Sequence, residues 1–326
     1  MGKRYMKILL TGAFGNIGES TLLALIKKEY DILCLDLDTD RNRNKESSLR
    51  EKGPFRTVWG SITDLELVKS AVVGKDAVIH LAAIIPPLSE KKPELAREVN
   101  VQGTANVVQA IEEMETKPKL IFASSVSTFG PRSPDMPPVD ASTPVNPTDN
   151  YTHHKVECER IIKESGIPWT ILKLTAVPTL ELNMEMDPMV FEMPLEQKIE
   201  FAHTRDVGVA FANAIEAETI GKTLLIGGGP NCQLYCSEFT GRLMKAMGIG
   251  TLPDDAFKKP ENPDEWYYTS WMDTQESQAL LQFQQRTLDD YINEMKQIMG
   301  AKRYITKILS PLLRRMIAKK SPYYHA

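Results

Sequence analysis

Two clusters of residues in this chain have the types and spacing of a redox site. In Thr11-Gly12-Ala13-Phe14-Gly15-Asn16-Ile17-Gly18, three glycines recur at intervals of three. Gly12 permits a tight turn, Gly15 lets a pyrophosphate approach the backbone, and Gly18 lets a helix and a strand pack closely. A helix starting there aims free N–H groups and a positive dipole end at the phosphates. Asp36 follows 24 residues after Gly12. A carboxylate at that separation accepts hydrogen bonds from an adenosine ribose and repels a 2′-phosphate. The pattern points to NAD as cofactor, with NADP a minority reading that Arg41 and Arg43 keep open.

The second cluster is Tyr151-Thr152-His153-His154-Lys155, which puts a phenol and an ammonium at i and i+4 on one helix face. Tyrosine is a poor base at its ordinary pKa of about 10. A nearby ammonium and the positive ring of a nicotinamide stabilise the phenolate and bring it toward the working range. Lys155 can also hydrogen-bond the nicotinamide ribose. Ser125, at the end of the apolar run Leu120–Ser124, can orient a substrate hydroxyl or carbonyl. His153 and His154 fall off the Tyr–Lys face, which predicts solvent or an interface for them.

Something must hold these groups, and the hydrophobic pattern says what. Short apolar runs at Lys7–Thr11, Ile32–Asp36, Arg56–Trp59, Ala77–Leu81, Leu120–Ser124, Trp169–Leu174 and Thr223–Ile226 read as strands. Helical spacing separates most of them, at Asn16–Glu29, Leu65–Val73, Pro93–Met114, Tyr151–Glu164 and Arg205–Ala217. Apolar strands alternating with helices predict an α/β fold with a Rossmann-type, doubly wound parallel sheet. The glycine turn then lies at a strand-to-helix junction, as phosphate binding requires. After Thr175 the pattern changes, and Phe239–Met247 and Thr274–Met299 are predicted helices of a smaller, discontinuous C-terminal substrate domain. The expected organisation is an NAD-binding domain over 1–175 with about 201–226, a substrate domain over 176–200 and 227–300, and a basic tail over 301–326.

Composition narrows the functional classes. The 326 residues are 42% hydrophobic and 25% charged with a formal charge of −4, ordinary for a globular chain and without a global field for nucleic acid. Four cysteines, Cys34, Cys158, Cys232 and Cys236, form no disulfide framework, and no metal site is expected of them. The apolar run at Ile8-Leu9-Leu10 is too short for a signal peptide, Met6 stands where a myristoylation signal wants Ser or Thr, and no run of about 18 apolar residues exists. The cytoplasm is the expected compartment.

As an ordered set these motifs resemble the extended short-chain dehydrogenase/reductase family, also called the NAD-dependent epimerase/dehydratase family. The resemblance runs from Lys7 to Gly229 through TGAFGNIG at 11–18, Asp36, DAVIHLAA at 76–83, NVQGT at 100–104, FASSVSTFG at 122–130, YTHHK at 151–155 and FAHTRDVGVAF at 201–211. It implies Ser125, Tyr151 and Lys155 as a catalytic triad with Tyr151 as acid/base. It implies cofactor contacts from Gly12, Phe14, Gly15, Asn16, Ile17, Asp36, Ile62, Ala82, Asn100 and Lys155. A homodimer through the Pro93–Met114 and Tyr151–Glu164 helices is a family expectation.

Departures from the family pattern bear on the substrate. Gly60-Ser61-Ile62 replaces the usual Gly-Asp, Ala176 stands where nucleotide-sugar members tend to have Asn, and Ile199 where they tend to have a diphosphate-clamping Arg. The loop Ile84-Ile85-Pro86-Pro87-Leu88 is apolar. Ile85, Ser127 and Thr175 are the candidate substrate contacts, and Thr175–Thr179 is expected to line the nicotinamide, with Pro178 where many members carry an aromatic. Met184, Met186, Met189 and Met193 read as an adaptable substrate wall, core packing or a lid. The expected activity is hydride transfer between NAD and a secondary alcohol or ketone that is not a nucleotide sugar. The alternatives are a nucleotide-sugar epimerase or dehydratase, and an NAD-binding sensor or scaffold without turnover. His203 precedes Arg205-Asp206 at a predicted helix start, where Asp206 is expected to cap or anchor the helix.

The tail is a separate problem. From Lys302 onward there are seven basic residues and no acid, so the rest of the chain carries −11. Ile305, Ile308, Leu309, Leu312, Leu313, Met316 and Ile317 recur at helical spacing, and Ser310-Pro311 reads as a helix start. Such a helix packs on its own domain or on a partner subunit, the favoured reading, or lies on an anionic membrane as a peripheral contact.

Overall fold

The computed structural model describes residues 5–181 and 188–325, so Met184 and Met186 lie outside the described residues. The seven predicted strands all form. They are β1 (Lys7–Thr11), β2 (Asp31–Asp36), β3 (Arg56–Trp59), β4 (Ala77–His80), β5 (Lys119–Ser125), β6 (Trp169–Leu174) and, after the short β7 (Lys198–Glu200), β8 (Lys222–Ile226). They make one sheet in the order β3-β2-β1-β4-β5-β6-β8, parallel throughout. Because side chains alternate, β1 sends Ile8 and Leu10 to the apolar core on one side and Leu9 to the core on the other. That two-sided burial is why these strands read as continuous apolar runs.

The first core lies under α1 (Asn16–Lys27) and α8 (Thr204–Ala214). Gly208 lets these two helices meet, since a methyl there would sit 2.4 Å from the Ser20 carbonyl oxygen. The second core lies under α3 (Leu65–Val72), α6 (Gly103–Glu112) and α7 (Asn150–Glu164). The long helix expected over Pro93–Met114 is broken: α5 (Pro93–Arg97) leads through a π turn at Glu98–Gln102 into α6. A helix α2 (Asp40–Arg50) was not anticipated, because it is polar nearly all round and buries only Leu49. A short α4 (Leu88–Lys91) follows the apolar loop.

Beyond the sheet, β7 pairs antiparallel with β9 (Gln233–Tyr235), followed by α9 (Cys236–Ala246). Strands of three residues are too short to show a period. The predicted helical region Thr274–Met299 is two helices, α10 (Gln275–Leu281) and α11 (Leu288–Met299), parted where Gln282 turns left-handed with φ 47°. Ile199, Phe201, Leu234, Phe239, Tyr291 and Met295 share one apolar cluster, so segments far apart in sequence pack as a unit. The tail forms α12 (Lys302–Ile308) and α13 (Ser310–Ala318). Its helix start is shifted from the expectation: Leu309 is the N-cap and Ser310 already helical, since α12 ends at Ile308 and leaves no extended residue to cap.

Candidate active site and cofactor cleft

The strand order reverses between β1 and β4, and the glycine turn sits at that junction. Gly12 has φ +69°, and a methyl there would lie 2.8 Å from the Ala82 amide nitrogen. At Gly18 a methyl would lie 2.0 Å from the Gly12 carbonyl oxygen, so this glycine packs against the turn itself. Gly15 differs: a methyl would meet only the Gly12 carbonyl oxygen, at 3.5 Å, an ordinary contact. The fold does not demand glycine there; an approaching ligand would. No side chain caps α1, so its amide end stays available.

That end opens on a cleft of about 400 Å³ lined by Gly12, Phe14, Gly15, Asp36, Ile62 and Ala82 among others. Asp36 Oδ2 accepts the Phe14 N–H at 2.8 Å and Oδ1 accepts the Leu37 N–H at 2.8 Å, so the carboxylate also braces the glycine turn. Burial pushes Asp36 above the ordinary carboxyl range, and these two amides pull it back. Both nearby arginines are engaged elsewhere. Arg43 forks onto Asp38 at 2.5 and 2.7 Å and stacks over Trp59, and Arg41 pairs with Glu181 at 3.0 Å. A bare helix end, an acid at the ribose position and occupied arginines fit NAD better than NADP.

Two expected contacts lie behind the cleft. The Asn100 side chain accepts from Ile84 N at 2.7 Å and donates to Ile84 O at 2.8 Å, fixing the loop after β4. The Asn16 amide donates to Val177 O at 3.0 Å, tying α1 to the loop after β6. Ile17 packs beside the first core.

At the end of β5, Ser125 Oγ lies 2.7 Å from Ser127 Oγ and hydrogen-bonds the Tyr151 phenol. Lys155 Nζ donates to the Ala123 carbonyl at 2.7 Å and stands 5.7 Å from the centre of the Tyr151 ring. Burial draws the Lys155 ammonium down to about 8. The lowered phenol pKa expected of the Tyr–Lys pair is not found in the protein alone. Burial pushes Tyr151 well above its ordinary range, and the Ser125 hydroxyl pulls back only in part.

The sequence reading missed the groups that support this cluster. Glu159 and Lys173 form a buried ion pair at 2.6 Å; Ser124 Oγ donates to the same carboxylate at 2.5 Å, and Lys173 Nζ reaches Thr128 Oγ1 at 2.7 Å. Glu90 accepts the Asn150 and Tyr151 amides at 3.3 and 3.2 Å, and Asp149 and Thr152 close a capping box, so the start of α7 is pinned. His80 bridges Thr11 and Thr104 at 2.7 and 3.1 Å; burial, then the Lys155 charge, press it down to about 3. A lysine inside the apolar strand WTILKL, with a glutamate one turn beyond Lys155, was the available signal.

On the substrate side, Ile85 is 59% exposed, and its neighbours Pro86 and Pro87 line a second cavity of about 370 Å³ whose walls do not include Ser125, Tyr151 or Lys155. Its walls include Pro86, Pro87, Trp266, Tyr267 and Tyr268, and Met189 contributes from the methionine-rich segment. Its charges are the acids Glu90, Asp149, Glu192, Asp264 and Glu265 against one cation, Lys258. Ile199 is buried in an apolar cluster with Ala176 packed against it, and Met193 joins the same cluster. Thr175 Oγ1 is taken up by the Glu200 carbonyl at 2.7 Å. His153 is exposed, but His154 is buried at 7% exposure. His203 caps α8, its Nδ1 accepting from Arg205 N at 3.2 Å. Asp206 anchors the chain after α10 instead, accepting the Gln285 and Arg286 amides at 2.9 and 2.7 Å. The four cysteines are buried and unpaired, and among the described residues no group of three or more His, Cys, Asp or Glu could hold a metal.

With this geometry in place, comparison with known proteins gives the class. The profile of the NAD dependent epimerase/dehydratase family matches residues 8–179, more than half of the chain. The chain belongs to that family. It is 34% identical over 175 residues to a UDP-glucose 4-epimerase of Lactobacillus helveticus, covering 52% of this chain and 51% of that protein. It is 28% identical over 167 residues to 3 beta-hydroxysteroid dehydrogenase type 7 of Homo sapiens, covering 51% and 43%. The chain thus spans about half the length of the curated relatives it matches. A dTDP-glucose 4,6-dehydratase from Streptomyces venezuelae, solved with NAD bound, superimposes with a TM-score of 0.76 at 22% identity, over 93% of this chain and all of that one.

Proposed function

We propose that the protein is an NAD-dependent oxidoreductase acting on a secondary alcohol or the corresponding ketone that carries no diphosphate. Gly12, Gly15, the amide end of α1 and Asp36 would hold the dinucleotide. Bound NAD supplies the hydride acceptor for the substrate carbon. Ser125 hydrogen-bonds the substrate oxygen, and Tyr151 takes its proton as the alcohol becomes a carbonyl. Lys155, one helical turn away, holds positive charge beside the phenol while it exchanges that proton. Burial keeps the resting Tyr151 a protonated phenol; it must pass that proton to solvent before it can accept the substrate's, whereas in the reverse direction it donates its proton directly to the substrate oxygen.

The observation that carries the choice of substrate is the apolar Ile199, buried with Ala176 against it where a diphosphate-clamping arginine would stand, and the acidic lining of the second cavity beside Pro86 and Pro87 agrees with it. Of the five acids there, Glu90 and Asp149 hold the start of α7 and Glu192 accepts from Tyr323, and Lys258 is the one cation among the described residues of that lining to meet a diphosphate. Relatives of both kinds exist, and the superimposing dehydratase and the epimerase act on nucleotide sugars by name. The two readings separate in one assay. With NAD and a panel of uncharged secondary alcohols, NADH absorbance should grow, and Tyr151→Phe should lower kcat by at least about a hundredfold while NAD binding stays within about threefold. Turnover of a nucleotide sugar with no net NADH would replace this reading with the epimerase one. Full activity in Tyr151→Phe would remove Tyr151 from the chemistry.

A further inference from the structure

The two tail helices carry exposed apolar side chains interspersed with basic residues. Tyr304, Ile305, Ile308, Leu309, Leu312 and Met316 are 59%, 60%, 80%, 46%, 59% and 56% exposed. Tyr304 and Ile308 share one face of α12, and Leu312 and Met316 one face of α13, each pair at i and i+4, so each helix carries an exposed apolar stripe. The opposite face is fixed to the body. Thr306 Oγ1 donates to Met247 O at 2.6 Å, Ala318 is fully buried, Ser321 Oγ donates to Ala256 O at 2.5 Å, and Tyr323 donates to Glu192 at 2.6 Å. The tail therefore satisfies one amphipathic face on its own domain and leaves the other bare. Large apolar side chains left bare together on one element are the kind of surface that docks on a partner or a membrane.

Charge identifies the occupant. Lys302, Arg303, Lys307, Arg314, Arg315, Lys319 and Lys320 lie within the same stretch, which holds no acid. None of the seven pairs with a carboxylate among the described residues. A second copy pressed face to face would bring two such cationic sets together with no anion between them. An anionic bilayer supplies both complements at once, hydrocarbon for the stripes and phosphate for the cations. We infer that α12 and α13 dock the protein in the interfacial plane of an anionic membrane, with the rest of the chain, at −11, turned away from it.

The test is flotation of the full-length protein with phosphatidylcholine vesicles and with vesicles containing about one-third phosphatidylserine, at roughly 0.1 M salt, where screening is moderate. Flotation is expected with the anionic vesicles only and should be lost on raising salt to about 0.5 M. Arg314→Gln with Arg315→Gln should lower partitioning on the order of tenfold. Ile308→Asp with Leu312→Asp should abolish it with an unchanged melting temperature, since both side chains are exposed. Absence of flotation, or equal flotation of wild type and the aspartate variant, overturns the inference. So does concentration-dependent self-association in sedimentation velocity that the aspartate variant removes while no flotation occurs.

Discussion

His80 is a single buried residue whose refusal of a proton makes the fold around this site sensitive to acid. It carries no charge at neutral pH because burial and Lys155 together press its pKa to about 3, against about 6.5 in the unfolded chain. Below about 6.5 the unfolded chain binds a proton that the folded imidazole refuses. Its contribution is thus complete above that pH and is lost as pH falls toward 3. Thermal melts at pH 7.5 and about 5 should show a drop that is smaller in His80→Asn, which cannot titrate; an equal drop in both proteins would assign the acid sensitivity elsewhere. Sequence reading found the residues that touch reactants, since Tyr151, Lys155 and Ser125 announce themselves by type and spacing. It could not find His80, because nothing in DAVIHLAA says that the ring lies between two threonines from β1 and α6.

At the scale of elements, the turn between β1 and α1 separates what the fold needs from what a ligand needs. Gly18→Ala puts a methyl against backbone and should cost about 1–3 kcal/mol of stability. Gly15→Ala meets nothing closer than 3.5 Å, and its φ of −72° suits any residue. It should therefore leave stability unchanged and weaken NAD binding by about tenfold or more, because the added carbon occupies the phosphate approach. Denaturant titration and calorimetry read the two quantities separately, and parallel losses in both variants would show that Gly15 is structural. The spacing of the three glycines was legible in the sequence, but their division of labour was not: only the folded turn shows which Cβ would strike backbone.

Across the whole molecule, the buried Glu159–Lys173 pair joins α7, β5 and β6 beneath the reactive cluster. Its removal is a global matter as well as a local one. Glu159→Met leaves an ammonium buried without its partner and should cost about 3–5 kcal/mol. Replacing Lys173 by Met as well removes the stranded charge, so the double variant should recover much of that loss. Chemical denaturation of both variants checks the order; a double variant less stable than the single one contradicts it. If the pair also positions Ser125 and Tyr151, the recovered stability will come with a kcat that stays low.

The sequence by itself determined the parallel sheet, the glycine turn, the acid after β2 and the Tyr–Lys face, because each depends on periodicity or on spacing within one or two elements. Only tertiary structure decided the rest. The cavity wall draws acids from the segments around Glu90, Asp149, Glu192 and Asp264, and long-range packing places them together. The tail pattern was visible in one dimension, but which of its faces is covered depends on the contacts of Thr306, Ser321 and Tyr323 with chain some sixty to a hundred and thirty residues away. Local spacing fixes which groups can share a face; the sign of a cavity and the exposure of a face are sums over distant segments.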